Sequence, residues 1–584
     1  MKKVLVLLCL CASLVFSANR TLIGSGDIAD PAIWNGSGAL LAIDSLILTD
    51  AYNVTMSTGI HVKGVNVLNT YVGSAVFSQP CTVDGVIRLQ GGVLDFSNYV
   101  KVKSNWVVSG APTINMTGSV VEFNGAAANI TITSAGIKFD RIIINNTGRT
   151  NSLVDSMACT VIRSIAGAFS LNTKPIHADT IDFDTVTTLT WNGKIYVNDG
   201  GMLRLNTITT CNPAVGSQLH LRGTSVLEDN KFRGVPIDSF YLAELGETTY
   251  VQGSATSFYT KRLIPGGGIV VLKSKSFFIR ATEAKKFDFI SNNTTFLTEG
   301  YGNIAFYAFA PGCTIDISGD FNLPTGNLTI MSQHNTGSST FYFRGNINAN
   351  QFNFGCLLSV VNTVEYNFSP NLDINVYILN FGSGNTNADT RSYLNFNNCT
   401  FNSKALNHMF SNNSITILNF QNSIWNIDSL VKMQSSVISN PDDGVINFTN
   451  PDSTTVISKG KSLPHCKFNQ NFYWYTDTLN DTINKLTFNK DSITGYFDTT
   501  THVILNSDSS DFNGSLNNIN KFRSLVDGVQ YRIKFPDSLR LKYTDFKDCD
   551  ASSGIEVNCS DTTNVNSGNN RNIRKWGRII ITSP

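Results

Sequence analysis

Apolar and polar positions alternate along this chain with a period of two, in short runs. "VVEFNG", "NITIT", "FDRIIINN" and "SLVDSMACTVIRS" are rich in β-branched and aromatic residues, and each closes on Gly, Asn, Ser or Asp. Alternation followed quickly by turn residues is the signature of short strands. The same texture continues in "LTWNGKIYVNDGGMLRLNTIT", "CTIDISGDFNLPTGNLTIMS", "STFYFRGNINANQFNFG" and "KLTFNKDSITGYF". Helical spacing is almost absent, so the chain is expected to be all-β.

A phrase of apolar residue, Asn or Thr, then Phe recurs at Leu379–Phe381, Leu394–Phe396, Leu418–Phe420, Ile446–Phe448 and Leu486–Phe488, with unequal gaps. Repetition separated by loops of variable length points to a solenoid. A few short strands cannot bury both faces alone, so each turn packs on its neighbours around an Ile, Val, Leu and Phe interior. Stacking in register lets Asn side chains bond along the axis as ladders, which gives the heavy Asn usage a structural reason. The alternative is a row of β-sandwich domains, which calls for longer alternating strands and for linkers that the sequence does not show.

Composition narrows the function classes. The 584 residues carry 15% charged side chains and a formal net charge of +1, which argues against a nucleic-acid or polyanion partner. Lys2 and Lys3 precede "VLVLLCLCASLVF", and Val15 and Ser17 stand before a cut between Ser17 and Ala18, the layout of a secretory signal peptide over 1–17. No later apolar stretch is long enough to span a bilayer. Of 11 Cys, nine follow the leader, widely scattered, with no CxxC or zinc spacing; Cys549 and Cys559 are near enough in sequence to pair, and the others read as small buried hydrophobes.

"GSGDIADPAIWNGSG" (Gly24 to Gly38), the repeat texture of Ser104 to Gly148, and "LKYTDFKDCDASSGIEVNCSDTTNVNSGNNRNIRKW" (Leu541 to Trp576) resemble the opening, repeats and closing segment of secreted bacterial β-helix surface proteins. The resemblance implies a right-handed parallel β-helix of the pectin-lyase-like type, a fold that hosts adhesins, structural spikes and polysaccharide-cleaving enzymes alike. Arg571, Arg574, Lys575 and Arg578 depart from the usual ending, which tends to have small residues there. We place a first solenoid section at 18–235, a second at 236–540 and a closing cap at 541–584. The break at "EDNKFRGVPIDSF" is soft, and the two sections also read as one continuous coil.

Enzymes of that architecture that hydrolyse polygalacturonate carry four short elements on adjacent coils. Two have counterparts here, Asp442-Asp443 and Arg532-Ile533-Lys534; the Asn-Thr-Asp and Gly-His-Gly elements are missing. Asp442, Asp443, Arg532 and Lys534 are therefore the weak catalytic candidates, set against a turn in "NPDDG" and a solvated strand face. Asp179, Asp182 and Asp184 could serve acid/base or calcium chemistry, against a plain outward polar face. "DSSDFNG" (Asp508 to Gly514) lacks the alternating acids of a calcium loop. Calcium is the one cofactor with any foothold, and no metal ligand set is assigned. For sugar stacking the candidates are Trp191, Trp425 and the "YWY" trio Tyr473, Trp474 and Tyr475, whose alternation sends the two tyrosines one way and Trp474 the other.

Two functional expectations follow. One is a secreted or cell-surface, non-catalytic β-solenoid, structural or adhesive, binding a polysaccharide or surface glycan. The other is a polysaccharide lyase or glycoside hydrolase whose site is assembled from loops of different coils.

Overall fold

A computed structural model describes residues 18–36, 38–125, 129–183, 188–205, 210–229, 237–252, 257–273, 276–281, 286–299, 302–333, 337–356, 362–381, 391–408, 415–433, 437–440, 443–476, 479–507, 509–536, 541–554, 557–558 and 563–574. The leader read at 1–17 lies outside them, as do Asp184, Asp442, Asp508 and Cys559. The structure is nearly all-β and forms a parallel β-solenoid of about 20 turns. It divides into two compact units, Met1–Lys275 and Ser276–Pro584. Among the described residues no helix is long and apolar enough to cross a membrane.

In the first unit the opening phrase forms a short capped turn beside the strand Gly26–Asp27, which pairs with Val54–Thr55. Asp30 caps the short 3-10 turn Pro31–Ile33 by accepting from Ala32 N, and the buried Trp34 donates its indole N–H to Ile28 O at 2.9 Å. Parallel strands then stack turn on turn, for example Ile87–Leu89 on Trp106–Val108 and Tyr99–Val102 on Val120–Phe123. Val100, Val102, Val121 and Phe123 all point inward with no accessible surface. Parallel pairing needs this arrangement, because successive strands in a stack must be joined by a complete turn of the coil.

The second unit shows how the coil closes. Its last turns supply strands to three parallel stacks. One runs Ser453–Ile457, Asn471–Tyr475, Thr494–Phe497, Asn520–Ser524, Thr544–Phe546. Strands Ser462–Phe468 and Asn480–Phe488 bend between the other two: their second halves pair His465↔Lys485 beneath Val445–Phe448, and their first halves pair Ser462↔Thr482 on the side that continues to His502–Leu505 and Tyr531–Lys534.

Some corners use a conformation that Asn favours. Asn371, Asn398 and Asn422, each two residues before a stacked strand, sit at φ 64°, 51° and 53°. Asn tolerates this left-handed region better than other side-chain-bearing residues, so part of the Asn content makes corners.

The recurring phrase is the in–out–in module of a strand. Leu379, Phe381, Leu394, Phe396, Leu418, Phe420, Ile446 and Phe448 are buried, while the intervening Asn points out. Its copies fall on different stacks, which accounts for their unequal gaps: Leu379 pairs with Phe352, Leu394 with Tyr366, and Ile446 with Trp425. Cys81, Cys159, Cys313, Cys399 and Cys466 are buried without disulfides, and burial pushes the Cys81 thiol up to about 12.

Candidate functional site: the outward rows and their grooves

Stacking in register turns each outward position into a row along the unit. In the first unit, His177, Tyr196, His220 and Tyr241 occupy one such row on strands Ile176–Asp182, Lys194–Leu205, Gln218–Leu221 and Ile237–Glu244. Their rings are face to face, with centroids 4.3, 4.4 and 4.1 Å apart. Because the rings cover one another's faces, the row shows solvent mainly ring edges; the Arg222 guanidinium lies over Tyr196 at 4.9 Å. Burial first, then the charges of Lys194 and Arg222, pushes His220 down to about 4, and burial, then Arg222, holds His177 below the usual imidazole value.

Beside it runs a row of alternating charge. Asp182 lies between Arg163 (3.8 Å) and Arg204 (3.6 Å), and Arg204 continues to Glu228 (3.4 Å). Asp179 accepts from Asn198 Nδ2 at 2.7 Å. These acids are engaged as partners of neighbouring turns, and among the described residues no three His, Cys, Asp or Glu converge as a metal-holding group.

In the second unit the rows are amides. Asn322 Nδ2 donates to Thr295 Oγ1 (2.9 Å), Asn348 to Asn322 (2.8 Å), Asn402 to Asn375 (2.7 Å), Asn426 to Asn402 (2.7 Å) and Asn447 to Asn426 (2.9 Å). A second row joins Asn380, Asn353, Thr329 and Asn303, and a third joins Asn419, Asn395 and Asn367. Grooves lie along the first two. One, of about 360 Å³, is lined by Asn322, Asn346, Asn348 and Asn375 with Asp320; the other, of about 310 Å³, by Asn327, Thr329, Gln351, Asn353 and Asn380 over Phe354. The sequence reading expected Asn ladders but did not say which Asn residues form them.

The catalytic candidates are dispersed. Asp443 is exposed in the turn before Val445–Phe448 and lines a groove of about 380 Å³ with His465, Lys485 and Asn506. Burial, then Lys467 and Lys485, pushes His465 down to about 4, and its Nε2 lies 2.8 Å from Thr487 Oγ1. Arg532 and Lys534 do point out from one strand face, as alternation requires, but in a different stack, where Arg532 stands in register with His502 and Asp550. Neither lines the groove of Asp443. His465 and Lys485 escaped the sequence reading because they neighbour Asp443 only through turn-on-turn register.

The aromatic candidates divide by face. Trp191, Trp425 and Trp474 are fully buried, with the indoles of Trp191 and Trp474 donating to Gly193 O (3.0 Å) and Asp481 Oδ2 (2.7 Å). Tyr473 and Tyr475 are half-buried on the outer side, and Tyr473 stacks on Tyr496 of the next turn at 5.1 Å. No family model, curated protein or solved structure matches the chain.

Proposed function

We propose that this chain is an exported, non-catalytic β-solenoid of the cell surface or extracellular space that binds neutral polysaccharide along the amide-lined rows of its second unit. The observation that carries this reading is the pair of grooves along Asn322–Asn348–Asn375 and Thr329–Asn353–Asn380. A primary amide offers both donors and acceptors, as a sugar hydroxyl does, and repetition by one solenoid turn suits a repeating polymer. The net charge of +1 favours an uncharged ligand over a polyanion. Export is supported by the Lys2–Lys3 start, the apolar run and the small residues before Ala18.

The competing reading, a polysaccharide lyase or glycoside hydrolase, draws on the groove where Asp443, His465 and Lys485 meet. One experiment separates the two. Purified protein is incubated with neutral and acidic polysaccharides, with and without calcium, and both co-sedimentation and new reducing or unsaturated ends are recorded. Retention of a neutral polymer without new ends is expected. New ends would move the function to the Asp443 groove, and no retention on any polymer would overturn the binding reading.

A further inference from the structure

The second amide row of the Ser276–Pro584 unit has a direction, and its hydrogen bonds stop at Asn380, although Asn407 stands in register with it on the next turn. Asn380 Nδ2 donates to Asn353 Oδ1 (2.8 Å), Asn353 Nδ2 to Thr329 Oγ1 (3.4 Å), and the Thr329 hydroxyl to Asn303 Oδ1 (3.0 Å). Every donor points toward the preceding turn, so the acceptor left over is Asn380 Oδ1. Asn380 is only 7% exposed, and that oxygen has no hydrogen-bond partner among the described residues. The comparable oxygens of the neighbouring row are filled: Asn402 Oδ1 accepts from Asn426 and Asn426 Oδ1 from Asn447. Buried polar atoms are nearly always paired, and the head of a hydrogen-bonded chain is polarised by the bonds behind it, so this oxygen is a strong acceptor awaiting a donor.

Asn380 belongs to the wall of the groove of about 310 Å³, together with Asn327, Thr329, Gln351 and Asn353. Among the described residues no charged side chain lines this groove, while Met331 and Phe354 add apolar surface. Amides set around an apolar floor match a sugar ring, which has hydroxyls at its rim and C–H groups on its face. The volume stands at the low end of the ~300–1,000 Å³ range of small-ligand pockets, enough for one or two sugar rings. We propose that this groove is a subsite for a neutral hexose unit whose hydroxyl donates to Asn380 Oδ1. The proposal rests on the polysaccharide-binding reading and gives it a location.

The test has two arms. In the first, saturation-transfer NMR measures binding of cellotriose, mannotriose and chitotriose to the full-length protein and to Asn380→Leu, which removes the acceptor, and Gln351→Trp, which fills the groove from its half-exposed rim. In the second, the same three proteins are sedimented with the matching polymers. At least one trisaccharide should bind the unaltered protein, at least tenfold more weakly both variants, and undiminished a Val526→Ala control, at an exposed side chain outside the amide rows and grooves. No transfer to any trisaccharide, or equal transfer to both variants, overturns the subsite. Polymer retained equally by all proteins would sink the subsite and leave the general reading standing; trisaccharide binding lost in both variants without any polymer retention would do the reverse.

Discussion

The Trp474 indole donates to Asp481 Oδ2 at 2.7 Å inside the second unit, and both residues are without accessible surface. Asp481 also accepts from Gly460 N (2.7 Å), Lys461 N (2.8 Å) and the Ser458 hydroxyl. A single carboxyl group thus satisfies the corner after Ser453–Ile457 and anchors the central ring of "YWY". Trp474 is in this way a structural residue of the coil, and its tyrosine neighbours hold the outer side.

Removing that carboxyl strands four donors at once. Each buried, unsatisfied group costs about 1–3 kcal/mol, with strong non-additivity. Asp481→Ala is therefore expected to destabilise the protein by about 3 kcal/mol or more, read as a lower urea midpoint followed by tryptophan fluorescence. An unchanged midpoint would show that the corner does not depend on Asp481.

Burial, which outweighs the hydrogen bonds it receives, holds Asp481 above the usual carboxylate value of 3.8. The fold keeps the proton longer than the unfolded chain does. This contribution to stability is complete below the unfolded value and is lost as pH rises through the folded one. The stability difference between the protein and Asp481→Asn, followed by urea unfolding from mildly acidic to neutral pH, should shift in favour of Asn as pH rises. A difference independent of pH would contradict the assignment.

His220 shifts in the opposite sense. Its folded value of about 4 lies below the usual 6.5, so its contribution is present above 6.5 and lost as pH falls toward 4. An NMR titration of the His220 ring should give a midpoint near 4; a midpoint near 6.5 would mean that the ring is not held between Tyr196 and Tyr241.

Asn402 sits in the middle of the first amide row, bonded at 2.7 Å to both Asn375 and Asn426. Water can replace part of what is lost at a half-exposed site. Asn402→Ala is expected to cost about 1–2 kcal/mol, at ~0.5–1.5 kcal/mol per net hydrogen bond. A urea midpoint equal to that of the unaltered protein would mean that the row adds nothing to stability.

The closing segment covers strand edges. Thr544–Phe546 pairs with Asn520–Ser524, and Cys549–Asp550 with Tyr531–Lys534. Deleting Leu541 to Pro584 bares both edges and should cause concentration-dependent aggregation in light scattering. A soluble, monodisperse truncation would remove the cap assignment.

Much of the architecture was legible because burial in a strand follows a period of two. Phrases such as Leu418–Phe420 announce which side chains turn inward, and their central Asn announces an outward amide. Trp474 opposite Tyr473 and Tyr475 follows from the same rule. The neighbourhood of Asp443 was not legible. His465 and Lys485 reach it by stacking one and two turns later, across loops of unequal length, whereas Arg532 and Lys534 stack elsewhere.

By itself the sequence determined the strand period, the alternation of inward and outward side chains within a strand, the Asn-rich composition and the solenoid principle, because alternation and turn chemistry are local. Tertiary structure alone decided which outward residues become neighbours: His177 with Tyr196, Asn353 with Asn380, Asp443 with His465. The reason is register. Each turn aligns so that its Ile, Val, Leu and Phe cover those of the turn before, and loops of different length absorb the remainder, so positions adjacent in space keep no constant spacing in the chain.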